Sequence, residues 1–253
     1  MQRLGLLGFA LLLCVSVANT DDNPFMRVPG GTFRSALPLG KQYDVQVRSF
    51  LLERHPVTNG EFLAFVTDHP EWRRGAVPEV MAGVDYLGAW AAPLDPGPNA
   101  AADRPVTQVS WFAAEAYCEA QHARLPDWYE WELAAAASAG ERDARSHAAW
   151  RQQVLDWYAR PAGGALPPVA RRPANLYGLY DMHGLVWEWV HDFNSLLPAG
   201  ADPQKFCGSG ALDIQQKDDY AVLMRIAMLG SLHATDTGRI VGFRCARDGG
   251  ASP

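Results

Sequence analysis

The chain has 253 residues, 48% of them hydrophobic, and a formal net charge of −6. That length suits one large domain or two small ones, no compositional break divides it, and the apolar content is ample for a core. Only three lysines occur (Lys41, Lys205 and Lys217) and no Lys/Arg block, which excludes the basic face needed for nucleic acid or an anionic membrane. No internal apolar run reaches the roughly 18 residues of a bilayer span.

The first twenty residues, MQRLGLLGFALLLCVSVANT, combine one arginine, an apolar run from Leu4 to Val17 and the small-residue site Ser16-Val17-Ala18. This is the architecture of a secretory signal peptide over residues 1–18, cleaved after Ala18, and it predicts a secreted, periplasmic protein. An uncleaved anchor or a lipoprotein at Cys14 is the alternative. However, Leu11-Leu12-Leu13 lack the small residues that lipoprotein processing prefers. Without Cys14 three cysteines remain, Cys118, Cys207 and Cys245. In an oxidising compartment an odd number predicts one disulfide and one spare thiol.

Residues 27–36, RVPGGTFRSA, read as a short strand entered through a Pro-Gly-Gly turn. Tyr43 to Arg54 alternates apolar and polar as a half-buried strand does. Pro56 ends it, and Thr58-Asn59 cap a helix with Phe62, Phe65 and Val66 on one face. Residues 73–104 are rich in Pro, Gly and Ala and predict a long irregular surface region. Val106 and Val109 suggest a strand. Ser110 caps a helix to about His122, with Trp111, Ala114 and Cys118 at helical spacing, and Asp127 with Glu130 forms a capping box for the next. A helix is expected from Glu141 to Tyr158, burying Trp150, Leu155 and Trp157. Loops follow at 160–174 and 194–219, and short strands at Met224–Met228 and Gly242–Arg247 close the domain. Helices, strands and loops mix without a βαβ alternation, so the fold class is α+β.

Five segments, in order, resemble the formylglycine-generating-enzyme (sulfatase-modifying factor) family: PVTNGEFLAFV from Pro56, RPVTQVSWFAAEAYC from Arg104, RLPDWYEWELAA from Arg124, NLYGLYDMHGLVWEW from Asn175 and GFRCA from Gly242. The resemblance runs from about Met26 to Arg247 and places a single domain at residues 26–248. It implies a fold related to C-type lectins, poor in regular secondary structure, and a secreted or periplasmic location.

Within GLYDMHGLVWEWVHDF, Asp181, Gly184, Val186 and Glu188 offer two carboxylates and two backbone carbonyls, the hard oxygen set suited to Ca²⁺. The matching family positions hold a structural calcium, and Asp181 stands where an amide is frequent. A second family calcium site, needing an Asn and an Asp upstream, has no counterpart in residues 141–174. Trp187 and Trp189 read as core aromatics. His183 and His191 are expected to pack or to face solvent.

Active members carry two cysteines five residues apart, the second preceded by tyrosine and 23 residues before the arginine of GFR, and bind copper through them. Counting back from Arg244 gives Ala221, preceded by Tyr220, and then Gln216. Neither an alanine nor an amide replaces a thiolate for soft Cu(I). Where the family has asparagine before Leu-Gly-Phe-Arg, this chain has Ile240. Formylglycine synthesis is therefore not expected. The resemblance pairs Cys118 with Cys245 and leaves Cys207, in KFCGSGA, near the old cleft. Catalytic candidates are Cys207, Tyr220 and His233, with Asp218, Asp219 and Arg225 as helpers.

GLVWEWVHDF and FCGSGALD look closest to the branch associated with copper nitrite reductases. The leading expectation is a maturation or assembly factor for a partner redox enzyme, a copper enzyme among them, binding a protein or peptide in the former substrate cleft. One alternative is an oxygen-dependent oxidoreductase that uses other cleft residues with copper or another transition metal. The other is a lectin-like binding module recognising ligands through loops 73–104 and 194–219.

Overall fold

A computed structural model describes residues 23–39, 41–159, 164–196 and 220–250. The signal segment, Cys207, Gln216, Asp218 and Asp219 lie outside the described residues. Strands β1 (Phe25–Val28), β2 (Gly31–Leu39), β3 (Gln42–Val47) and β4 (Phe50–Glu53) open the chain. Helices α1 (Asn59–Asp68), α2 (Trp111–Ala120), α3 (Trp128–Ala135) and α4 (Ala148–Tyr158) follow. Then come β5 (Trp187–Glu188), α5 (Tyr220–Gly230), β6 (Val241–Gly242) and β7 (Ala246–Asp248). β1, β4 and β7 form an antiparallel sheet in that order, β2 and β3 an antiparallel ribbon, and β5 and β6 a parallel pair. The fold is α+β, with short elements joined by long turns.

Local signals set the helix starts. Thr58 and Glu61 form a capping box on α1, and the Ser110 hydroxyl accepts the Ala113 N–H on α2. At α3 the Glu130 carboxylate accepts the Asp127 N–H at 2.9 Å, and Asp192, from far along the chain, accepts the Trp128 N–H at 2.8 Å. These caps satisfy donors that a helix leaves unpaired.

Each expected strand at the N-terminus divides in two. Between β1 and β2 the backbone of Gly30 passes so near Val47 that a Cβ there would lie 2.2 Å from its carbonyl oxygen, so the chain turns at the glycine pair. Val106 and Val109 form no strand. Val106 donates to the Val57 carbonyl, but Gln108 has φ 57° and ends the extended run, leaving one isolated bridge between Thr58 and Pro105. The region 73–104 is irregular as expected, yet it is not all surface: Leu87 and Trp90 are buried, and the Trp90 indole donates to Asn59.

Two further expectations are corrected. α4 starts at Ala148, not Glu141, because Arg145 turns inward to Asp143 and Glu132 and holds the preceding residues in an irregular path. Among its described side chains Val154 is buried, while Trp150, Leu155 and Trp157 are only half-buried. Met224–Met228 is helix, not strand. Val222, Ile226 and Leu229 recur at helical spacing and are buried together.

The core joins Phe62, Tyr117 and Phe243 around α1 and α2 with Trp128, Trp131 and Trp189 toward α3 and β5. Cys118 and Cys245 form a disulfide between α2 and the residues entering β7, the pairing that the resemblance implied.

Candidate functional site

The stretch Gly178–Phe193 turns sharply before it becomes β5. Asp181 has φ 54° and Gly184 φ 79°, and a Cβ on Gly184 would lie 2.5 Å from the Trp157 side chain, so both the conformation and the space demand glycine there. β5 then pairs with β6, which places Glu188 in the interior beside Arg244.

Glu188 and Arg244 are both fully buried and form a bidentate pair, Nη2 to Oε1 at 2.8 Å and Nε to Oε2 at 2.9 Å. The Trp131 indole donates to the same Oε2 at 2.9 Å. Arg244 also donates to the carbonyls of Glu53 and Tyr180. From α5, Arg225 donates to the Glu188 carbonyl, and its Cζ lies 3.5 Å from the Trp131 ring centroid. A buried carboxylate is thus answered by one guanidinium through two hydrogen bonds, while a second lies over an indole.

This arrangement bears on the four residues proposed for calcium. Arg244 already neutralises Glu188, and one Asp181 oxygen accepts the Ala170 N–H at 2.6 Å. Burial raises the Asp181 pKa, partly opposed by that hydrogen bond. Of the four expected ligands, both Glu188 oxygens and one Asp181 oxygen are thus already hydrogen-bonded within the protein. Two carboxylates and two carbonyls are the hard oxygen types that calcium takes, and the Arg244 charge beside Glu188 opposes a cation there. Among the described residues no group of three or more His, Cys, Asp or Glu side chains converges to hold a metal.

Trp189 is core, with its indole donating to the Val109 carbonyl, whereas Trp187 is half-buried. His183 packs inside an aromatic surround of Trp131, Trp150 and Trp157, with Nε2 2.9 Å from the Ala135 carbonyl. Burial pushes its pKa down to about 4, so it is neutral.

His191 is different. Its side chain is 52% exposed and faces a cavity of about 430 Å³ at the surface. It is lined by Trp111, Phe112, Phe193 and Ala234 together with His191 and Asp192. Exposed Asn194 and Ser195 complete the lining. The Ala234 carbonyl accepts the Trp111 N–H, so the loop after α5 is tied to the start of α2 and closes one wall.

Of the catalytic candidates, only the His233 side chain lies within the described residues. Tyr220 opens α5, and its side chain lies outside the description. His233 is 86% exposed and pairs with Asp236 in the loop leading to Ala234. Arg225 is committed to the core. Sequence reasoning missed the Glu188–Arg244 pair, although one arginine in the apolar run Val241–Cys245 is a legible sign of a buried ion pair. It also missed the cavity, which no single segment announces.

Residues 15–249 match the model of the sulfatase-modifying factor enzyme 1-like domain. The chain is 27% identical over 286 aligned residues to the inactive C-alpha-formylglycine-generating enzyme 2 of Mus musculus, covering 95% of this chain and 91% of the relative. It is 33% identical over 281 residues to the formylglycine-generating enzyme of Thermomonospora curvata, covering 87% and 92%. The hercynine oxygenase of Mycobacterium tuberculosis is 34% identical over 162 residues, 58% of this chain and 38% of that protein. The crystal structure of CarF shares the fold, with a TM-score of 0.53 at 18% identity, over 88% of this chain and 97% of that one. The motif order, the disulfide and the matched span agree, and the chain belongs to the sulfatase-modifying factor enzyme 1-like family.

Proposed function

We propose that this chain is a secreted, periplasmic member of the family in which binding has replaced copper-dependent oxidation, and that it serves as a maturation or assembly factor for a partner redox enzyme. The observation that carries this reading is position 221. Where active members have their second cysteine, Ala221 stands in the first turn of α5, a helix that buries Val222, Ile226 and Leu229 and sends Arg225 into the core. A segment so committed to packing has no thiolate to offer a soft metal. The mouse relative, named inactive, is a parallel case within the family. A weak structural calcium at Asp181, Gly184, Val186 and Glu188 belongs to the same reading and is supported by the turn at Asp181 and Gly184.

Elemental mass spectrometry on natively purified protein and on Cys207→Ala tests this directly. Calcium without copper or iron in both is expected. About one copper or iron per chain, lost in Cys207→Ala, would replace this reading with that of an oxidoreductase working through Cys207. Deleting the gene should also lower the metallated fraction of a periplasmic redox enzyme. If every such enzyme matures normally without the protein, the assembly role is wrong.

A further inference from the structure

The cavity over α2 has features that the partner-binding reading does not use. Its aromatic rings stand at an angle to one another instead of stacking flat. The Trp111 ring meets Phe112 edge-on, 5.6 Å between centroids at 83°. It meets His191 at 6.0 Å and 48°, and Phe193 at 6.1 Å and 40°. Three of the rings have further contacts outside the cavity. The Trp111 indole donates to the Val190 carbonyl at 3.0 Å, and Phe193 packs edge-on against buried Trp189 at 5.0 Å. The His191 backbone donates to the Pro126 carbonyl, and its ring lies 3.5 Å from Glu115 Oε1.

The polar lining residues are His191, Asp192, Asn194 and Ser195, and Asp192 is the acid among them. Asp192 lines the cavity with one oxygen accepting the Trp128 N–H, and Glu115 Oε1, outside the lining, lies 3.5 Å from His191 Nδ1. Among the described residues no lysine or arginine lines the cavity. An apolar guest would cover Asp192 and leave its charge unanswered, which is costly. A guest that is cationic and apolar on its outer surface answers the carboxylate and presents C–H groups to the ring faces at once. About 430 Å³ lies within the range of small-molecule sites, roughly 300–1,000 Å³.

We infer that the cavity formed by Trp111, Phe112, His191, Asp192 and Phe193 binds an organic ammonium group, a trimethylammonium being the best match to its aromatic walls and the Asp192 carboxylate. The inference rests on this cavity alone and does not depend on the maturation role. No bond is made or broken; the site is one of recognition.

Ligand-observed NMR titration of the full protein with choline, and in parallel with its uncharged isostere 3,3-dimethylbutan-1-ol, separates charge from shape. Choline should bind at least about tenfold more tightly than the isostere, and the preference should shrink as salt is raised. Phe112→Ala should weaken choline binding while the melting temperature stays close to wild type. Glu115→Gln, which leaves the box intact, should weaken it more modestly. Co-sedimentation with phosphatidylcholine vesicles would assign the ammonium to a lipid headgroup, and choline binding without co-sedimentation would assign it to a soluble molecule. Equal binding of choline and isostere would make the cavity a merely hydrophobic dent. No choline binding in the millimolar range, by a protein whose fold is intact, would overturn the inference outright.

Discussion

The carboxyl of Glu53 lies at the end of β4, where its Oε2 accepts the N–H of disulfide-bonded Cys245 at 2.7 Å. Burial is the largest influence on it and raises its pKa from 4.5 to about 8, against the lowering effects of the Cys245 N–H, Arg244 and Arg247. The folded protein thus holds a proton that the unfolded chain gives up near pH 4.5. Glu53 therefore contributes stability that is fully present below about pH 4.5 and is lost as the pH rises to about 8. His183 works oppositely: its folded pKa of about 4 lies below the ordinary 6.5, so its contribution is present above pH 6.5 and lost as the pH falls through 4. Glu53→Gln keeps an acceptor for the Cys245 N–H and removes the titration. Its unfolding free energy should exceed that of wild type by on the order of 1–4 kcal/mol at pH 8, with the gap closing toward pH 5. Urea titrations across that range check this, and a constant gap would mean that Glu53 is charged throughout. Burial of Glu53 was not legible from its neighbours Leu51, Leu52 and Arg54, because an acid in an alternating strand reads as an outward position.

Among the elements, α5 shows how a local pattern can be misread. AVLMRIAML is apolar over a short span, and short apolar runs suit a buried strand or a buried helix equally well by periodicity. The packing decides. Val222, Ile226 and Leu229 fill one face against the core, and Arg225, on the adjacent turn, reaches Trp131 and Glu188. As a strand the segment would point alternate residues outward and separate those contacts. Ile226 is fully buried, so Ile226→Ala should cost about 2–5 kcal/mol in a urea unfolding curve. Met224, which is exposed, should tolerate alanine within about 0.5 kcal/mol. If both changes cost the same, α5 does not pack as described. The capped starts of α1, α2 and α3 were legible, in contrast, because each depends on residues three or four apart in the chain.

At the scale of the whole molecule, the Cys118–Cys245 disulfide closes a segment of 127 residues between α2 and β7. Replacing both cysteines by alanine should lower stability by about 2–5 kcal/mol in chemical denaturation, as should reduction of the wild-type protein. A loss below about 1 kcal/mol would show that the sheet β1–β4–β7 and the aromatic core already fix the C-terminal strand.

The amino-acid sequence alone determined the family, the α+β class, the helix caps, the absent thiolate pair and, through the resemblance, the cysteine partners. These are statements about residue identity at counted positions, or about neighbours within one helical turn. The tertiary structure decided the rest. Glu188 meets Arg244 across 56 residues and Glu53 meets Cys245 across 192. The cavity takes its walls from α2, from the turn after β5 and from the loop after α5. Whether a carboxylate is paired, neutral or open to a cation depends on what the fold brings within a few ångströms of it, and one-dimensional spacing does not carry that information.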